Sequence, residues 1–508
     1  MKNVAETDFK NMHTEIKTIG DLKESGWKSE SVKEEMRRNL IQKLRDGSEL
    51  FPGILGYEKT VLPQLVNAIL AKHDVILLGL RGQAKTKILR MLVNFLDEYI
   101  PVVEGSEIND DPFAPLSRFA REKIKEMKDD TPVSWLHRDL RYGEKLATPD
   151  TTVADLIGDL DPIKAASERL SLANESVINF GLIPRTNRGI FVINELPDLQ
   201  PRIQVALLNI MQERDIQIRG FNVRIPVDVA MAYSANPEDY TNRGSIITPL
   251  KDRIDAQILT HYPKSLEIGK TITSQEAWQQ RNGDTDIHIP EAYLEILENV
   301  AIEARKSEYV DQKSGVSTRM SITALEQVLS SAERRCMITG DKSSAIRITD
   351  IYQMIPAITG KVELVYEGEQ EGALNVAKHL IGKAVSNIFK KHFPDPQKIL
   401  KDEEGPYEDI INWFAAGNTV ELPDALSEKE YRKRLSSVDG LEALVKKHAN
   451  PDKEELYLWM DLVLEGLHQN SKLGREDLDD ARTYSDMLGS MLGNMDDFDE
   501  DDIWNSDN

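Results

Sequence analysis

The stretch DVILLGLRGQAKTKILRML, residues 74–92, constrains this chain more than any other feature. Val75–Leu78 is a short apolar run that reads as a buried strand, and the KTKILRML that follows the loop spaces its apolar residues for a helix. Between them Gly79, Gly82, Lys85 and Thr86 fit the pattern G-x-x-x-x-G-K-[ST], with Ala84 in place of its final glycine. A strand, loop and helix in this order can cradle phosphates: backbone N–H groups curl around the oxygens, a lysine reaches the β- and γ-phosphates, and a hydroxyl meets Mg²⁺. The expected ATP-binding residues are therefore Gly79, Leu80, Arg81, Gly82, Gln83, Ala84, Lys85 and Thr86, with Thr86 also a Mg²⁺ ligand. Ala84 adds one methyl group, which fits if the backbone there needs no positive φ. Taken alone, the segment is also compatible with an ordinary strand-to-helix turn.

Later segments supply what such a loop needs. RGIFVINELPDL reads as a second buried strand ending in Asn194 and Glu195, where phosphate-loop ATPases usually carry Asp-Glu. In that arrangement the aspartate holds Mg²⁺ through water and the glutamate polarises the attacking water. Here Glu195 is present and Asn194 replaces the aspartate. An amide oxygen can accept a hydrogen bond from metal-bound water but adds no negative charge, so binding should survive better than hydrolysis. VDVAMAYSANPEDY ends a further strand at Asn236, which could reach the γ-phosphate or the lytic water; by itself an Asn-Pro pair is a turn. TPLKDRIDAQI offers Arg253 and GVSTRMSITAL offers Arg319, each alone an ordinary surface cation.

The chain's 508 residues suit several domains, and its 40% hydrophobic and 29% charged residues suit a soluble globular protein. A formal charge of −23 argues against a constitutive nucleic-acid surface. The single cysteine, Cys336, excludes an internal disulfide and reads as a buried structural thiol. With no apolar run long enough to span a bilayer and no apolar signal core at the amino terminus, the expected location is cytoplasmic. Residues 1–50 read as a helical lead-in. Residues 51–265 alternate β-branched runs (Val75–Leu78, Ile190–Ile193, Val227–Ala235, Ala256–Thr260) with helices, the pattern of a parallel sheet flanked by helices. No strand-like run follows in 266–370, which reads as a helical lid, and 371–475 reads as a further C-terminal helical region. Residues 476–508 carry a net charge of −11 and end in DDFDEDDIWNSDN, a disordered solubilising tail or a docking peptide.

From about 50 to 365 the sequence resembles the AAA+ module of the magnesium-chelatase I subunit and, less closely, MoxR ATPases. The likeness rests on FPGILGYE before the loop, VVEGSEINDDPF, DLIGDLDPIKA, FGLIPRTNRGIF, SANPEDY and PLKDRID. It implies an α/β fold, an AAA+ P-loop NTPase core with a helical lid, assembled as a hexameric ring. It further implies that Asn236 is sensor 1, Arg253 an arginine finger reaching a neighbour's ATP, and Arg319 sensor 2, so that the catalytic set is Glu195, Asn236, Arg253 and Arg319. Asp215–Pro226 matches the hairpin before sensor 1, turning near Gly220–Asn222, and TVADLIGDLDPIKA matches the helix-2 insertion. A von Willebrand factor A-domain protein is the partner the family suggests. Ala84, Asn194 and the long C-terminal region depart from the pattern.

HRDL at His137–Leu140 echoes a kinase catalytic loop but has Glu144 where that loop needs Asn. The GAFTGA loop of a sigma-54 activator is absent, and His379 and His392 lack the spacing of a zinc helix. Three functions remain: an ATP-hydrolysing remodelling or metal-insertion motor, an ATP-gated assembly scaffold with little or no hydrolysis because of Asn194, and a true chelatase subunit.

Overall fold

In the computed structural model the apolar run Val75–Leu78 forms β1, buried at every position. It joins β2 (Tyr142–Leu146), β3 (Gly189–Asn194), β4 (Val229–Ala235) and β5 (Ala256–Leu259) in a five-stranded parallel sheet of order β5-β1-β4-β3-β2. Side chains alternate between its faces. Ile76, Leu78, Phe191, Ile193, Met231 and Tyr233 enter one core, while Val75, Leu77, Ile190, Val192, Ala230 and Ala232 enter another. Burial on both faces is why these strands are unbroken apolar runs. β2, with sequence YGEKL, is an edge strand paired, among the described residues, only with β3, and its polar composition hid it from the sequence reading.

The structure describes residues 15–167, 169, 175–218, 224–236, 245–281, 285–398, 405–478 and 481–487. They fall in two units, Met1–His261 and Tyr262–Asn508. In the first, the loop after β1 leads into α1 (Lys85–Met91), and α2 (Pro201–Glu213) follows β3 after a single turn. The lead-in helix Val32–Asp46 inserts Val32, Met36 and Leu40 into the second core. Two buried ion pairs fix that helix to the sheet: Glu35 with Arg141 at 2.5 Å and Lys33 with Asp74 at 2.6 Å. Asp215–Gln217 and Arg224–Pro226 pair antiparallel as the expected hairpin, whose turn at Gly220–Asn222 lies outside the described residues.

The second unit has one core running from Ala277 to Tyr484, built on α3 (Glu291–Ala304), α4 (Arg319–Thr339), α5 (Ala373–His392) and α6 (Leu456–Gln469). Two expectations need correction. The lid region does contain strand, a short parallel pair of Asp286–His288 with Ser343–Ala345. The C-terminal region carries a three-stranded antiparallel sheet of Val420–Pro423, Ala481–Ser485 and Gly474–Leu478, so part of the stretch read as tail is ordered structure. These strands are too short and too polar to read from periodicity. DDFDEDDIWNSDN lies outside the described residues. Among those described, no helix is long and apolar enough to cross a membrane.

A buried polar network holds the new sheet to α6. Arg475 lies 2.6 Å from Glu465, and the hydroxyls of Tyr352 and Tyr484 donate to the same carboxylate at 2.8 and 2.6 Å. Arg482 lies 3.6 Å from Glu465 and 3.7 Å from Asp461. Burial pushes the Glu465 carboxyl up, but Arg475 and Arg482 outweigh that and hold it well below the usual range. Because its folded value is depressed, its contribution is full above the unfolded value of about 4.3 and is lost as the pH falls below it. Glu465→Gln removes the carboxylate that both buried arginines share and should cost about 3–5 kcal/mol at pH 7. In denaturant unfolding the gap from wild type should narrow at pH 3; a gap that is constant with pH contradicts this account.

Candidate functional site

Parallel strands deliver their carboxyl ends to one edge, and the loop after β1 is built there. Gly79 N–H donates to the Ala235 carbonyl at 3.1 Å, and Thr260 N–H donates to that of Leu78 at 2.8 Å. A Cβ at Gly79 would collide with the Thr260 hydroxyl and the Gln83 side chain, so only glycine fits. The Thr260 hydroxyl donates to Gln83 Oε1 at 2.6 Å. Tyr57, from FPGILGYE, places its hydroxyl 3.0 Å from the Gln83 carbonyl and 2.7 Å from that of His261. The loop is therefore clamped from both sides.

Gly82 has φ +73° and Ala84 has φ +57°. The condition for Ala84 to fit without strain, a backbone that needs no positive φ, is thus not met: it occupies the left-handed region that favours glycine. Ala84 is also the N-cap of α1 and gives no side-chain cap. Lys85 is buried and folds back along the loop, its Nζ donating to the carbonyls of Gly79 and, at 3.0 Å, Leu80. Thr86 follows in the first turn of α1, half-buried.

At the end of β3, Glu195 takes φ +53° and ψ +50°. A non-glycine residue there is strained by about 1–2 kcal/mol, and such strain concentrates at working sites. The turn that follows is anchored by buried Leu196 and Pro197. Asn194 is buried and engaged at both ends: Nδ2 donates to Glu144 Oε1 at 2.6 Å, and Oδ1 accepts from Ser234 Oγ at 2.8 Å. Glu144 also binds Arg90 of α1, whose Nε lies 2.8 Å away. Sequence reasoning met Glu144 only as the residue that spoils a kinase pattern, because β2 itself went unread. Asn236 directly follows β4, with its side-chain Oδ1 buried and, among the described residues, without a hydrogen-bond partner; Pro237–Tyr240 of SANPEDY lie outside them.

The two arginines are placed differently. Arg253 is held by its own unit, its Nη2 donating to Gln212 Oε1 at 2.8 Å and its Nη1 to the Pro249 carbonyl at 2.8 Å. Arg319 is exposed in the second unit, in the first turn of α4, a position where the helix dipole disfavours a cation. Thr86, Asn194, Glu144 and Glu195 offer only oxygen donors apart from the amide nitrogen, and the hard cation Mg²⁺ prefers oxygen. Lys85 supplies the positive charge that phosphate requires. The donor set thus fits both Mg²⁺ and a nucleotide phosphate chain.

Residues 173–259, which span Asn194, Glu195, Asn236 and Arg253, match a family model described as the Sigma-54 interaction domain. That match begins after the phosphate loop, and the chain has no GAFTGA segment. The magnesium-chelatase 38 kDa subunit of Cereibacter sphaeroides is 28% identical over 233 residues, covering 45% of this chain and 64% of that protein. The subunit of the same name from Rhodobacter capsulatus is 27% identical over 267 residues, covering 50% of this chain and 68% of that protein. The chain thus spans just under two thirds of the first relative's length. A reconstruction of the complex between subunits BchI and BchD of magnesium chelatase aligns with 20% identity and a TM-score of 0.33, over 63% of this chain and 98% of that one. The chain has the AAA+ P-loop NTPase fold and, over about half of its length, is similar to the magnesium-chelatase 38 kDa subunit.

Proposed function

We propose that this chain is an ATP-binding AAA+ subunit that hydrolyses ATP within an oligomeric ring and uses the cycle to remodel a protein partner or insert a metal ion. One observation carries the reading: buried Lys85 and strained Glu195 stand at the same edge of one parallel sheet, with Asn236 just beyond the strand between them. Gly79–Thr86 wraps the phosphates, and Lys85 exchanges its loop carbonyls for β- and γ-phosphate oxygens. Thr86, and Asn194 through water, would hold Mg²⁺, which when bound would offset phosphate charge. Glu195 orients and polarises the attacking water, and Asn236 Oδ1 completes that water's hydrogen bonds. Arg253 leaves Gln212 to act as a finger on a neighbouring subunit's ATP, which makes turnover depend on a hexameric assembly. Arg319 keeps the sensor 2 role that the resemblance implies. The likeness to a magnesium-chelatase subunit supports a partner of the von Willebrand factor A-domain type.

A second reading draws on the commitments of Asn194, whose amide is already bound by Glu144 and Ser234. In it the chain is an ATP-gated scaffold that assembles and hydrolyses little.

Phosphate release by purified protein separates the two. Glu195→Gln should keep ATP affinity and lower turnover about 10²–10⁴-fold; equal background rates in wild type and variant favour the scaffold. Ala84→Gly relieves the left-handed strain, and after glycine's own entropy cost it should stabilise the fold by about 0.5–1 kcal/mol. A shift of the denaturant midpoint to lower concentration contradicts the strain at that position.

A further inference from the structure

Asn194 stands where phosphate-loop ATPases usually carry an acid, and the structure supplies a physical reason. Asn194 on β3 is in register with Leu146 on β2, and two residues back on β2 lies Glu144. The Asn194 amide nitrogen is 2.6 Å from Glu144 Oε1. A carboxylate only accepts hydrogen bonds, so it fixes which way the amide points. An aspartate at 194 would press two carboxylates together at a buried position, a contact that disfavours both charges. The negative charge missing from position 194 is therefore present one side chain away.

Glu144 also connects the right elements. Arg90 grips the same carboxylate at both oxygens, with Nε 2.8 Å from Oε2 and Nη2 3.2 Å from Oε1. Arg90 is one helical turn beyond Thr86 on α1, on the same face. On the far side, Asn194 Oδ1 accepts from Ser234 Oγ at 2.8 Å, and Ser234 Oγ accepts from the Glu195 N–H at 3.4 Å. A continuous chain of polar contacts thus runs from the helix bearing Thr86 to the backbone of Glu195.

Resting on the nucleotide-site reading above, we propose that Glu144 and Asn194 are a transposed acid and amide: Glu144 supplies the negative charge for the Mg²⁺ site, and Asn194 relays its position to Glu195. Glu144 is in these terms a positioning residue. An ordinary ion pair with Arg90 would place no demand on residue 194, whereas a transposed pair requires one acid and one amide.

The test is a Mg²⁺ titration of ATP binding, with EDTA as the metal-free reference, on wild type, Glu144→Gln, Asn194→Asp and the double variant, with thermal midpoints of each. Glu144→Gln should keep ATP affinity in EDTA and raise the Mg²⁺ midpoint roughly tenfold, because one charge near the cation is gone. Asn194→Asp should lower the thermal midpoint. The double variant should recover both properties, since it again holds one acid and one amide. An unchanged Mg²⁺ midpoint in Glu144→Gln, or purely additive effects in the double variant, overturns the proposal. If Asn194→Asp does not fold, the Glu144→Gln titration decides alone. A wild type that binds no ATP at any Mg²⁺ concentration is a different failure, which removes the nucleotide site and the transposed pair together.

Discussion

The parallel register of the sheet is the constraint on which the site depends. β1 lies between β4 and β5, with Leu78 opposite both Ala235 and Leu259, so the chain leaves all three strands at one level. Gly79, Asn236 and Thr260 are the next residues, and Glu195 emerges at the end of β3 at the same edge. A slip of one residue in any strand would exchange its two faces, so that each core would receive side chains packed for the other. The hydrophobic pattern that forms the sheet therefore also fixes where the polar groups converge.

Around that edge the protein holds strained conformations in place by surrounding them. Ala84 and Glu195 both have positive φ, a state that persists only when neighbours over-determine it. For Ala84 the neighbours are the clamp of Tyr57, Gln83 and Thr260 and the lysine folded onto the loop carbonyls. For Glu195 they are buried Leu196 and Pro197 on one side and the Asn194–Ser234 contact on the other. Charge is handled in the same manner: the Asn194 amide is suited to its position because Glu144 faces it. Departures from a familiar motif are then consequences of local surroundings.

Much of this was legible in the sequence because it depends on local pattern. The buried strands appear as apolar runs, and the loop, Asn194–Glu195 and Asn236 follow them directly, so the central strands and their polar termini could be placed. β2 could not, since YGEKL has the composition of an edge, and with it went Glu144 and the reason for Asn194. The backbone of Ala84 could not be read either, because alanine gives no sign of left-handed geometry. In the second unit the missed strands are three to five residues long, and two of them, Gly474–Leu478 and Ala481–Ser485, are held by buried pairs of Arg475 and Arg482 with Glu465 of α6, contacts that periodicity does not register.

The central claim is that this sheet edge binds ATP through Lys85, and calorimetric titration of ATP with Mg²⁺ into wild type and Lys85→Ala tests it most directly. The account predicts saturable binding by wild type and an affinity at least about tenfold weaker in the variant, which loses a charge-assisted contact to phosphate. Equal affinities in two folded proteins, or no heat of binding in wild type, would contradict it.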